Sequence, residues 1–244
     1  MRLDLALVER GLAPTRSRAR DLIRSGQVRV GEEVCTKAGA EVAAEETLTL
    51  EDVDAARAVS RGGQKLIAAL DAFEFDVEGR IALDVGASTG GFTQVLLERG
   101  AKKVYAADVG HGQLHASLKA DPRVVSLEGL DARRLTRAAV PEPVGAITAD
   151  LSFISLSKAL GPALELAAPG AFLVALVKPQ FEVGPQRIGK GGIVRDAAAR
   201  DSALHSVTAW LAAQPGWCVT GSIPSPIKGG SGNIEFLIGA LYDG

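Results

Sequence analysis

The run Ile81-Ala82-Leu83-Asp84-Val85 leads directly into Gly86-Ala87-Ser88-Thr89-Gly90-Gly91-Phe92, and it constrains the fold more than any other stretch. A short apolar run bounded by glycine reads as a strand buried on both faces of a parallel sheet. The loop then opens a helical segment, Thr93 to Arg99, which Gly100 ends. Strand, glycine loop and helix in this order let a backbone approach a ligand closely at the carboxyl end of the strand. The loop reads G-x-x-x-G-G. It has neither the spacing of the dinucleotide fingerprint nor the lysine of a P-loop, which disfavours hydride-transferring dehydrogenases and nucleotide triphosphatases.

The pattern continues along the chain. Lys103 to Ala107 reads as a second strand ending at Asp108, and Val124-Val125-Ser126 as a third leading to Asp131. Asp108 follows Gly86 by 22 residues, at a strand tip where a carboxylate can accept both hydrogen bonds of a ribose diol. A single acid in such a place is usually a cap or turn residue; acids after successive strands, behind a glycine loop, point to a ligand site. Gly145 to Thr148 runs into Ala149-Asp150-Leu151-Ser152-Phe153, and Phe172 to Leu176 into Val177-Lys178-Pro179-Gln180-Phe181-Glu182. Alternating strands and helices predict an α/β, Rossmann-like doubly wound domain.

Residues 1–30 carry seven arginines against three acids, whereas residues 41–58 carry six acids against Arg57. The reversal, in an apolar-poor stretch, reads as the exit from a small domain. The expected division is a small domain over 1–50, a linker over 51–59 and a larger domain over 60–244. Leu3, Leu7 and Val8 stripe one short helix closed by Gly11, and Thr15 is the expected N-cap of a second. On that second helix Ala19, Leu22 and Ile23 share a face. Arg16, Arg20 and Arg24 form a basic stripe beside it, with no glutamate interleaved. Such a stripe favours phosphate contact, and as an exposed face its replacement by alanine should leave the fold nearly unchanged. Gln27 to Val30 alternates like a strand.

Composition sets the remaining bounds. Of 244 residues 47% are hydrophobic and 23% charged, which excludes a disordered or fibrous chain. The net charge of −2 requires any nucleic-acid contact to come from a local patch. Cys35 and Cys218 supply no disulfide framework, and His111 and His115 lack the intervening Glu of a zinc protease, so no metal is expected. The N-terminus shows no signal peptide, and the most apolar stretch, Ala167 to Val177, is too short to span a bilayer. The expectation is a cytoplasmic protein without membrane association; the sequence leaves its oligomeric state open.

Residues 1–50 resemble an S4-type RNA-binding domain through Arg2-Leu3-Asp4, Ser17-Arg18-Ala19-Arg20-Asp21-Leu22-Ile23 and Gly26-Gln27-Val28-Arg29-Val30. The larger domain resembles S-adenosylmethionine-dependent methyltransferases in its D-x-G-x-x-x-G-G-F loop. With Ser60 to Leu66, the Asp150 and Lys178 segments, and Ser231-Gly232-Asn233-Ile234-Glu235-Phe236, it is similar to the FtsJ-type ribose methyltransferases and their Lys-Asp-Lys-Glu tetrad. Together the two halves resemble the haemolysin-A-type (TlyA) family of ribosomal RNA 2′-O-methyltransferases. The resemblance implies a tetrad of Lys65, Asp150, Lys178 and Glu235, and a cofactor pocket built from Asp84, Gly86, Gly90, Gly91, Phe92, Asp108 and Asp131. It also implies a cytidine in ribosomal RNA as target, with the ribosomal RNA or subunit as partner.

A ribose hydroxyl is a poor nucleophile, and a lysine beside it can orient it, or act as a base when neutral. Lys178 is the expected base or steering group, oriented by Asp150 and Glu235, with Lys65 placing the ribose or its phosphate. Two features depart from the pattern. Ser88-Thr89 stands where related enzymes often carry Ala-Pro, and the chain ends nine residues after Glu235, which within the family implies large-subunit RNA. A DNA-base methyltransferase would show a proline-rich motif in place of Asp150-Leu151-Ser152-Phe153. A non-catalytic RNA-binding protein would need no tetrad, and a membrane-active haemolysin would need an amphipathic or spanning segment.

Overall fold

The computed structural model describes residues 1–51, 58–229 and 232–244, with Ser17 described by its backbone alone. The expected linker therefore lies mostly outside the described residues, as does Ser231 of the C-terminal motif. The chain forms two compact units, Met1–Arg61 and Gly62–Gly244.

In the first unit, α1 (Leu3–Glu9) and α2 (Arg16–Arg24) precede three short strands, β1 (Val28–Val30), β2 (Glu33–Val34) and β3 (Leu48–Leu50). Thr15 caps α2, its hydroxyl accepting from the Arg18 amide at 3.1 Å. Leu3, Leu7, Ala19, Leu22 and Ile23 are buried together as their helical spacing requires. The strands form an antiparallel sheet with β1 in the centre.

The basic stripe is not the free face the sequence suggested. Arg16 and Arg20 both donate to Asp4, a fully buried carboxylate on α1, while Arg24 is exposed. The neutralising acid comes from the neighbouring helix, where spacing along α2 cannot reveal it. Replacing all three arginines by alanine would strip partners from a buried charge, so the expectation of an unchanged fold is corrected.

The second unit is built on one sheet: β4 (Ile81–Val85), β5 (Lys103–Asp108), β6 (Val124–Glu128), β7 (Val144–Ala149), β8 (Ala167–Val177), β9 (Trp217–Pro224) and β10 (Phe236–Tyr242). Their spatial order is β6-β5-β4-β7-β8-β10-β9. The first five run parallel, and β10 is antiparallel to both its neighbours. Residues of both parities are buried on the central strands, Leu83, Ile147 and Leu173 as well as Ala82, Ala146 and Phe172. Helices must therefore cover the sheet. Among them α3 (Gly63–Phe73) packs on α4 (Gly91–Glu98) and β10, and α5 (Ala197–Ala212) on β8 and β9. No helix among the described residues is long and apolar enough to cross a membrane. The strand order reverses between β4 and β7, and their carboxyl ends are where an open α/β sheet binds ligands.

Candidate active site

At that reversal Gly86 leaves β4 with φ +86°, and a Cβ there would sit 2.7 Å from the Asp150 carbonyl oxygen beyond β7. The close approach that demands glycine is thus first to the neighbouring loop. Beside it opens a cleft of about 490 Å³ whose lining includes Gly86, Ser88, Asp108, Asp131, Asp150 and Phe153. Asp108 accepts from the Ser88 amide at 2.8 Å and the Gly110 amide at 2.7 Å, which fixes its carboxylate at the tip of β5. Each oxygen keeps a lone pair for a further donor. Asp131 lines the same cleft, but its carboxylate is engaged by the Arg133 guanidinium at 2.5 Å and the Arg133 amide at 2.9 Å. Those bonds hold it well below the usual carboxylate range.

Four residues expected in the pocket lie beneath or beside it. Asp84 is fully buried, accepting from the hydroxyls of Thr93 at 2.7 Å and Thr148 at 3.1 Å. Gly90 has φ +98°, and a Cβ there would collide with the side chains of Leu114 and Leu118, so packing already explains the glycine. Gly91 opens α4, and Phe92 is buried on it. None of the four lines the cleft.

A second cavity, of about 340 Å³, shares Ser152 and Phe153 with the first and is also lined by Lys178, Gln180, Phe181 and Glu235. Lys178, just past β8, places its ammonium 2.7 Å from Asp150 Oδ1, at an angle short of a hydrogen bond, and donates to Ser152 Oγ at 2.7 Å. Lys65, from the first turn of α3, donates to Glu235 Oε2 at 2.6 Å, and Gln180 reaches Glu235 Oε1 at 3.5 Å. The four tetrad residues thus form two ion pairs. The pairing differs from the expectation: Glu235 holds Lys65 rather than Lys178, and Lys65 is itself almost buried.

Phe153 carried no signal beyond its place in a motif. It is 91% exposed with φ +66°, where a bulky side chain is rarely found, and it packs on Phe181 with ring centroids 5.2 Å apart. Glu182 accepts from Ser155 Oγ at 2.6 Å and from the Leu156 amide at 2.9 Å, pinning the loop that carries Phe153.

Comparison with known proteins finds a family for each unit. The FtsJ-like methyltransferase family matches residues 58–242, and the S4 domain matches residues 1–48. The 16S/23S rRNA (cytidine-2′-O)-methyltransferase TlyA of Mycobacterium tuberculosis is 48% identical over 97% of this chain and 88% of its own. The 23S rRNA (cytidine-2′-O)-methyltransferase TlyA of Campylobacter jejuni is 38% identical over 73% of this chain and 69% of its own. A solved Streptococcus thermophilus structure that carries a hemolysin name superposes with a TM-score of 0.77 at 41% identity, covering 99% of this chain and 88% of that one. The chain belongs to the FtsJ-like methyltransferase family, in the S4-bearing group that includes TlyA.

Proposed function

We propose that this protein methylates the 2′-hydroxyl of a cytidine in ribosomal RNA, with S-adenosylmethionine as donor. The observation that carries the reading is Lys178: its ammonium is set between Asp150 and Ser152 in a cavity that adjoins the Gly86–Asp108 cleft. The residues of that cleft suit the donor, since Asp108 retains lone pairs for a ribose diol and Gly86 lets the loop after β4 pass close to the Asp150 backbone at the cleft's edge. When bound, S-adenosylmethionine supplies a methyl group already activated by its sulfonium.

The protein then has to place the hydroxyl oxygen. Holding reacting atoms in line lowers such a barrier by up to ~7–11 kcal/mol. As an ammonium Lys178 has three donors; one goes to Ser152 while the charge sits beside Asp150, which leaves a donor for the 2′-oxygen. These contacts support a steering role, with the hydroxyl proton leaving to solvent as the oxygen attacks. Lys65 and Glu235 brace each other at the same cavity, and Phe153 offers an exposed ring on which an unstacked base can lie. The S4 unit, with Arg16, Arg20 and Arg24, supplies RNA affinity. The 23S RNA is common to the names of both rRNA-modifying relatives and is the proposed substrate.

Transfer of labelled methyl from S-adenosylmethionine to 23S ribosomal RNA tests this. The wild-type protein should label the RNA. Lys178→Ala should lose turnover by at least ~10²-fold while cofactor affinity, measured by calorimetry, survives. Lys178→Arg separates the roles: an unchanged ionisation in the pH–rate profile supports steering, and its loss identifies Lys178 as the base. Full turnover in Lys178→Ala would place the chemistry elsewhere.

A further inference from the structure

Asp4 is fully buried in the small unit, yet three arginines whose side chains remain 41–47% exposed converge on it. Arg2 donates Nε to Oδ1 at 3.0 Å and Nη2 to Oδ2 at 3.2 Å. Arg16 and Arg20 donate Nε to Oδ2 at 2.8 Å and 3.0 Å. The three bring together the N-cap of α1 and two successive turns of α2. Their hydrogen bonds hold the Asp4 carboxyl far below the usual carboxylate range, so it is a fixed anion at physiological pH.

Arg16 and Arg20 use only their Nε atoms on Asp4, and their Nη groups donate to no partner among the described residues. Three guanidinium groups around one carboxylate leave two positive charges in excess. We propose that Asp4 is a positioning residue for RNA binding: it sets the guanidinium planes of Arg16 and Arg20, with Arg2 as brace, so that their free Nη edges form a ready site for an RNA phosphodiester. This deepens the reading of the S4 unit as the RNA-binding part and rests on it.

The physical case is one of order against charge. A guanidinium fork matches phosphate geometry, but a free arginine loses considerable rotamer freedom when it binds. Side chains already held in place lose less, and the gain appears as affinity. Asp4 also repels a phosphate, and its burial behind the arginines puts the cations between the two charges. The two effects have opposite signs, which makes the inference testable.

Asp4→Asn in the full chain keeps the side-chain shape and changes the net charge from −2 to −1. Bulk electrostatics alone predicts tighter binding to transcribed 23S ribosomal RNA. The proposal predicts binding weaker by about tenfold, with cofactor affinity unchanged. Because the Asp4→Asn change can unsettle the unit, the variant's melting is compared with wild type. A second variant, Arg16→Lys with Arg20→Lys, keeps every charge and Asp4 but removes the forks. It should bind RNA more weakly with the same salt dependence. RNA binding equal to or tighter than wild type in folded Asp4→Asn, or unchanged in the lysine pair, overturns the inference. Failure of the wild-type protein to bind RNA would instead overturn the reading of the S4 unit.

Discussion

Asp84 is enclosed entirely by protein, on the sheet face covered by α4, where it ties Thr93 of that helix to Thr148 of β7. Burial raises its pKa to about 7, with the nearby Asp150 charge adding to the effect and the two threonine hydroxyls opposing it. The motif points to an acid at the end of β4; only the packing shows that it supports the glycine loop from below and does not line the cleft. A folded-state value above the unfolded one means the native protein holds a proton that the unfolded chain gives up between pH ~4 and 7. Stability is therefore largest at the acid end of that window and falls as pH rises through about 7, by up to ~4 kcal/mol. Asp84→Asn, whose amide can accept from one threonine and donate to the other, should remove this slope and gain on wild type as pH rises. Urea unfolding of both proteins from pH 4 to 8 measures the difference, and parallel curves would show that Asp84 is ionised in the native state.

The loop after β7 and the helical turn Pro179–Glu182 after β8 act as a pair. A non-glycine residue in the left-handed region costs on the order of 1–3 kcal/mol and persists only where its surroundings fix it. Around Phe153 those surroundings are Lys178 on Ser152, Phe181 against the ring, and Glu182 on Ser155 and Leu156. Glu182→Ala should therefore release the loop. Methyl transfer to RNA should fall, and adding Glu182→Ala to Phe153→Ala should cost little more, since contacts that act through one residue are not additive. Fully additive losses would separate Glu182 from Phe153. The central strands were legible in the sequence because each is a largely apolar run with a polar residue at its carboxyl tip, whereas Lys65, in α3, and Glu235, ahead of β10, were named only through the resemblance to the FtsJ-type motif. The Glu182 clasp, the exposure of Phe153 and the Arg16–Asp4 bond were not, because each depends on how separate elements pack and leaves no periodic trace.

At the scale of the whole molecule the proposed chemistry and the proposed RNA affinity fall in different units, Gly62–Gly244 and Met1–Arg61. A net charge of −2 gives no general attraction for RNA, so on the proposed reading the arginines of residues 1–30, seven against three acids, provide it locally. Loss of a phosphate contact there should flatten the salt dependence of RNA binding by about 0.7 in log–log slope for a single strand, or about 0.9 for a duplex. Turnover at saturating RNA should survive better than affinity, because the tetrad is untouched. An Arg24→Ala variant, exposed and outside the Asp4 cluster, checks this without disturbing a buried charge; an unchanged slope would make Arg24 a solvated residue only. The most direct measurement concerns the acceptor atom. The methylated nucleotide of 23S ribosomal RNA is mapped, and the same RNA is then prepared with a 2′-deoxyribose at that one position. If Lys178 serves a ribose oxygen as proposed, methyl transfer to that nucleotide should disappear while RNA binding is retained. Methylation that persists on the deoxy nucleotide would mean that a base atom is the acceptor.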